Sequence, residues 1–216
     1  MENKKVNGTE TRNGNTAAPT TNGQATLRKA KDAMQPDVLP AARRQLTREE
    51  QTELNHQLDV AMAKKNPEKI KEFIARGADV DYHQLLAKAA LFGYKDIVEI
   101  FLNAGALVDA RNNGHENALD LATITGKLEI VQILIERKAD VNNQDRNGFT
   151  ALMWIAYRRM RLEPTIRELD LKTAKLLLDA GADPNIRNNY GQTALDLALK
   201  DGNFHIAELL RRYGAK

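Results

Sequence analysis

The chain has 216 residues, 42% hydrophobic and 28% charged, with a net charge of +3 and no cysteine. That length and balance suit a globular domain, and the missing cysteines exclude disulfides and thiolate metal sites. No stretch approaches the roughly 18 apolar residues of a spanning helix, and the N-terminus lacks the apolar core of a signal peptide. The expectation is a cytoplasmic protein, with export by a signal-independent route left open.

Residues 1–46 contain no aromatic residue and are rich in Asn, Thr, Gly, Ala and Gln. Such a segment buries too little apolar surface to offset its ordering entropy, so a disordered tail is predicted. It holds eight Lys or Arg against four acids, an excess of four. The remaining residues therefore sum to −1, and the basic pI of about 9.0 belongs to the tail. A tail of this charge can touch phosphate or anionic lipid, and more commonly keeps a chain soluble.

Thr47 with Glu50 three residues on is the capping box of a first helix, so the folded part is predicted to span 47–216. Within it, residues 73–81, 101–109, 134–142 and 177–185 read alike, and 210–215 repeats their beginning. The residues before the shared alanine, Gly77, Gly105, Lys138, Gly181 and Gly214, are 28, 33, 43 and 33 positions apart. Each unit carries the pattern of a helix pair. In the third, Asn117-Ala118-Leu119-Asp120 begins an inner helix and Gly126 ends it. Ile130, Val131, Ile133, Leu134 and Ile135 then line an outer one. Gly93 and Gly202 fall at the same break, and the glycines after the outer helices suit left-handed caps. Lys138 in such a cap is a predicted weak point of about 1 kcal/mol.

The chain resembles the ankyrin-repeat family. Thr150-Ala151-Leu152-Met153, Thr193-Ala194-Leu195-Asp196 and, more weakly, Asn117-Ala118-Leu119-Asp120 stand where that family has Thr-Pro-Leu-His, without its Pro and His. The resemblance implies an all-α solenoid of stacked helix pairs joined by short β-hairpin turns. Its units run over 47–81 (N-capping), 82–110 (shortened), 111–143, 144–186 (with a ten-residue insertion) and 187–216 (C-capping). Polar ends are expected from Lys69 and Glu72 in the first unit and Arg211 in the last, so the array reads as complete. The second unit lacks five residues between Val80 and Leu86, which cuts its tip short. The fourth gains ten between Ala156 and Thr173, and a projecting helical hairpin with Arg158, Arg159, Arg161 and Arg167 is predicted, its second helix starting at Pro164.

The family's concave face implies contact positions on the tips and at the ends of the inner helices. Tips supply Asn113, Glu116, Arg146, Asn147, Phe149, Asn189, Tyr190 and Gln192. Helix ends supply Leu91, Phe92, Ile124, Thr125, Tyr157, Arg158, Lys200 and Asp201. Phe92, Glu116, Arg146, Phe149, Tyr157, Arg158, Tyr190 and Lys200 are the candidate protein-binding residues, since aromatic and Arg side chains desolvate much area on few rotors. Trp154, in register with Leu121 and Leu197, is predicted core.

Chemistry finds little purchase here. His56, His83, His115 and His205 are scattered, with no metal-ligand spacing. Asp120 and Asp196 occupy one position in different units and are expected to bond helix starts rather than pair for acid–base work. No phosphate loop or nucleophile elbow occurs. The expectation is a monomeric, non-enzymatic scaffold or adaptor with an unidentified protein partner, no cofactor, metal or small-molecule substrate. Two alternatives stay open: a nucleic-acid or anionic-membrane tether through the tail and insertion, and a delivered effector engaging a host protein.

Overall fold

A computed structural model describes residues 46–157 and 164–216. The expectation for the tail lies outside these residues, Leu46 apart. Thr47 caps α1 (Arg48–Ala63): its Oγ1 accepts from Glu50 N at 3.2 Å, and its own N donates to Glu50 Oε2 at 2.9 Å. Asn66 caps α2 (Pro67–Ala75), with proline in the first turn, where no amide partner is lost. A short 3₁₀ turn (Tyr82–Gln84) leads to α3 (Leu85–Phe92) and α4 (Lys95–Asn103). Then come α5 (Ala118–Ile124) and α6 (Leu128–Glu136), α7 (Ala151–Tyr157) and α8 (Pro164–Asp179), α9 (Ala194–Lys200) and α10 (Phe204–Arg212). None of the described residues is in a strand.

The described helices thus form five antiparallel pairs. Inner helices α3, α5, α7 and α9 pack in file, and the outer helices line up behind them. One continuous core runs through the file, with Leu58, Leu85, Leu119, Leu152 and Leu197 from the inner row and Ile70, Phe101, Leu134, Leu177 and Leu210 from the outer row, all essentially inaccessible. Lys69, Glu72 and Arg211 are exposed, as expected of polar ends.

Backbone amides stitch the units together. Asp81 accepts from Leu107 N at 2.8 Å, Asp109 from Asp140 N at 2.9 Å, and Asn142 from Asp183 N at 2.8 Å. Asn185 accepts from Lys216 N at 3.0 Å. The first unit has no predecessor among the described residues, and its own α1 supplies the same bonds. Asn55 Oδ1 accepts from Asp79 N at 2.8 Å, and Gln51 Nε2 donates to Gly77 O at 3.0 Å.

The two irregular units show what the length changes do. In the second, the missing residues leave α3 without a side-chain cap, and His83 (φ 48°) and Gln84 (φ 53°) are forced into left-handed backbone. For residues with a Cβ that costs roughly 1–2 kcal/mol each. In the fourth, α8 begins at Pro164 and runs 16 residues, against nine for α2, α4, α6 and α10. Its half-buried Leu169 borders a surface trough with Gly126, Lys127 and Leu128 of the unit before. The predicted hairpin depends on residues 158–163, including Arg158, Arg159 and Arg161, which lie outside the described residues. Lys138 does take the left-handed cap, at φ 66°.

Candidate protein-binding face

Three tips share one construction. Asn112, Asp145 and Asn188 each turn a side-chain oxygen inward to accept two backbone amides: Gly114 and Glu116, Asn147 and Phe149, and Tyr190 and Gln192, at 2.7–3.1 Å. One backbone pair closes each turn, from Asn112 N to Glu116 O, Asp145 N to Phe149 O and Asn188 N to Gln192 O. Neighbouring tips are joined directly, Arg146 N to Gly114 O at 2.8 Å and Asn189 N to Asn147 O at 3.0 Å. The outer side chains therefore stand on a braced edge.

Behind each tip an inner helix starts. Asn117 with Asp120 and Thr193 with Asp196 form reciprocal capping boxes. Asp120 is buried where the third unit meets the fourth, and Asn143 at that junction donates to its carboxylate. Burial pushes the Asp120 carboxyl up to about 7 against the bonds from Asn117 and Asn143, and Asp145 and Glu116 add to the rise. Oδ1 of Asn143 is itself buried without a partner among the described residues.

The candidate residues separate into three groups. Phe92, 56% exposed, stacks on Tyr94 with ring centroids 5.6 Å apart at the end of α3. Tyr157, 46% exposed, ends α7, and Lys200 is exposed at the end of α9. With half-buried Leu91 and Ile124, Phe92 and Tyr157 make an apolar band along the inner-helix ends of three consecutive units. On the tips, Tyr190 is 70% exposed, Arg146 is exposed and hooks its guanidinium onto Asn113 O, and half-buried Glu116 accepts from the Asn112 side chain at 2.9 Å. Arg158 lies outside the described residues.

Phe149 is a correction. It is 8% exposed rather than presented at the tip. It precedes the Thr150 position that begins α7 and packs on Trp154 four residues beyond it, ring centroids 4.9 Å apart, as a hydrophobic staple. Tyr157 closes the cluster edge-on, 5.8 Å from Phe149. Trp154 is also less enclosed than expected. Its ring is half-buried, whereas Leu121 and Leu197 at the same position are buried, and its Nε1 is buried without an acceptor among the described residues. Residues that the sequence reading passed over include Arg111 and Arg187, both exposed beside their tips. Their signal was one arginine beside or on each of three successive tips.

Among the described residues, no group of three or more His, Asp or Glu could hold a metal ion, and no helix is long and apolar enough to cross a membrane.

Comparison with known proteins agrees with this architecture. A family model described as ankyrin repeats (3 copies) matches residues 58–145 and again 137–216. A putative ankyrin repeat-containing protein of Treponema pallidum (strain Nichols) is 40% identical over 127 residues, which cover 57% of this chain and 38% of that protein. Ankyrin repeat and SAM domain-containing protein 6 of Rattus norvegicus is 37% identical over 106 residues, covering 48% and 11%. A putative ankyrin repeat protein of fowlpox virus (strain NVSL) is 29% identical over 168 residues, covering 72% and 47%. The chain thus spans less than half the length of each of these relatives. Ankyrin repeats are generally protein–protein interaction modules. The stacked helix pairs, the bonded tips and the match over residues 58–216 together make this chain a member of the ankyrin-repeat family.

Proposed function

We propose that this chain is a scaffold or adaptor that binds another protein through its concave face, with the apolar band at the inner-helix ends as anchor and the tips as a polar rim. The reading is carried by the exposure of Phe92 and Tyr157 at the ends of inner helices in a fold whose core is closed without them. Phe92 stacks on Tyr94 and Tyr157 meets Phe149 edge-on, yet each ring keeps about half its surface in water, and aromatic anchors dominate interface energetics. Glu116, Arg146, Tyr190 and Lys200 sit around the band as rim contacts, and Arg158 follows Tyr157 in the chain.

The test uses the full chain as bait, with partners cross-linked, identified and re-measured as purified proteins. Phe92→Ala and Tyr157→Ala are each expected to weaken the affinity at least tenfold while cooperative thermal unfolding is retained. Tyr157→Ala also loses its ring contacts, for about 1 kcal/mol of stability. Unchanged affinity in both variants rejects the concave face as the site. Binding that collapses with added salt and survives both substitutions supports the phosphate-binding tether instead.

A further inference from the structure

Several cations on the helices have a carboxylate close by: Lys69 has Glu72 at 2.8 Å, Lys88 has Asp59 at 3.1 Å, Lys95 has Glu129 at 3.0 Å and Lys172 has Glu168 at 2.7 Å. Arg111, Arg146 and Arg187 are exposed on or beside three consecutive tips. Among the described residues the first two have no carboxylate within 4.0 Å, and Arg187 has only Asp196 at 3.9 Å. The tip carboxylates face elsewhere, Asp145 onto Asn147 N and Phe149 N, and Glu116 onto Asn112.

Two of the three guanidiniums are held in place, Arg146 by Asn113 O and Arg187 by Gly191 O. A guanidinium has five N–H donors in a planar fork, so one bond orients it and leaves others for a carboxylate. Helices packed at about 8–10 Å separate successive units, so the row extends over roughly 20 Å. An extended peptide advances about 3.3 Å per residue and covers one unit in about three residues.

We propose that the arginine row Arg111–Arg146–Arg187 grips an extended acidic segment of the protein partner, with carboxylates about three residues apart and Tyr190 covering one end. The proposal rests on the concave-face reading and adds the chemistry of the partner. Charge complementarity favours a short acidic segment over a nucleic acid. The residues beyond the tail sum to −1, so a long polyanion gains no net attraction from the surface outside the row.

The experiment pans a random dodecapeptide phage library on the full chain and on Arg111→Glu, whose side chain bonds nothing among the described residues. A triple variant, Arg111→Glu with Arg146→Glu and Arg187→Glu, is panned in parallel. All three proteins carry the same basic tail, so tail binding cancels in the comparison. Peptides from the unaltered chain are expected to be enriched in Asp and Glu at every third position, and to bind Arg111→Glu at least tenfold more weakly as synthetic peptides. Thermal melts check folding, and Arg111→Lys is expected to recover part of the affinity. Peptides without acidic enrichment, or affinity unchanged in Arg111→Glu, overturn the proposal. If those peptides still respond to Phe92→Ala, the concave-face reading survives it. Recovery of no peptide on any of the proteins overturns the acidic-segment proposal alone, and the concave-face reading is then decided by partner affinity in Phe92→Ala and Tyr157→Ala. A labelled oligothymidylate that binds more tightly than the selected peptides and responds to the same substitutions reassigns the row to nucleic acid.

Discussion

The third and fifth units begin their inner helices with the same box of hydrogen bonds and place it in opposite surroundings. Asp120 lies where the third unit meets the fourth and is buried, whereas Asp196 is exposed. The same contrast holds one step along, where Gly148 sits under the fifth tip and Gly191 has open space around it. In a quasi-one-dimensional stack, the unit fixes the local bond pattern and its neighbour fixes what that pattern is worth.

The largest expected effect separates the two glycines. Both have left-handed backbone, φ 76°, so a Cβ at either costs roughly 1–2 kcal/mol. At Gly148 the new carbon also meets Asn189 N at 2.8 Å and Asn188 Cα at 3.0 Å, backbone that cannot swing away. Gly148→Ala is therefore expected to cost about 3 kcal/mol and Gly191→Ala about 1, read from urea melts of the full chain. Equal losses mean that the fourth and fifth tips are not in contact in solution.

The second effect depends on pH. The folded state holds the Asp120 proton up to about 7, well above an unfolded aspartate, so folding favours the protonated form. That contribution is complete below about pH 4 and is lost as pH rises through about 7, a swing on the order of a few kcal/mol. Asp120→Asn cannot ionise, and its amide offers Asn143 Oδ1 a donor. It is expected to stabilise the protein by about 2 kcal/mol at pH 8 and to change little at pH 4. Exposed Asp196→Asn stays within about 0.5 kcal/mol at pH 8. Parallel pH profiles for unaltered protein and Asp120→Asn contradict the buried carboxyl. Third, Lys138→Gly relieves a left-handed lysine and is expected to add about 1 kcal/mol at any pH.

What the sequence made legible was periodic. Glycine spacing, the Thr47–Glu50 box and the position of Pro164 located helices correctly because each is a local signal with a local cause. Phe149 was misplaced because a tip was treated as uniformly exposed. Its position just before Thr150, with Trp154 four beyond, is a staple pattern readable in advance. Trp154 was harder: register with Leu121 and Leu197 gives the direction of a side chain, and only the neighbouring units decide how much of a larger ring they enclose. Arg111 and Arg187 were hidden by weighting aromatics over charge, and which carboxylates reach them among the described residues, none for Arg111 and only Asp196 at 3.9 Å for Arg187, is a three-dimensional fact.

The smallest expected effect concerns the stitching between units. Asn142 and Asn185 each accept one backbone amide and donate to a carbonyl of the next unit, Gly181 O at 3.2 Å and Gly214 O at 3.3 Å. Asp81 and Asp109 occupy the same place and, when ionised, have no proton to donate. The equivalent carbonyl, Gly105 O for Asp81, goes without that bond. Asp81→Asn keeps the contact to Leu107 N and gains a donor at a half-exposed site, so a gain of about 0.5 kcal/mol is expected. The reciprocal Asn185→Asp should lose about as much. Because adjacent units couple in this architecture, the gain should appear as slower amide exchange in α3 and α4, whichever way the global melt moves. Faster exchange there in Asp81→Asn implies that the negative charge of Asp81, and not its geometry, is what holds the first unit to the second.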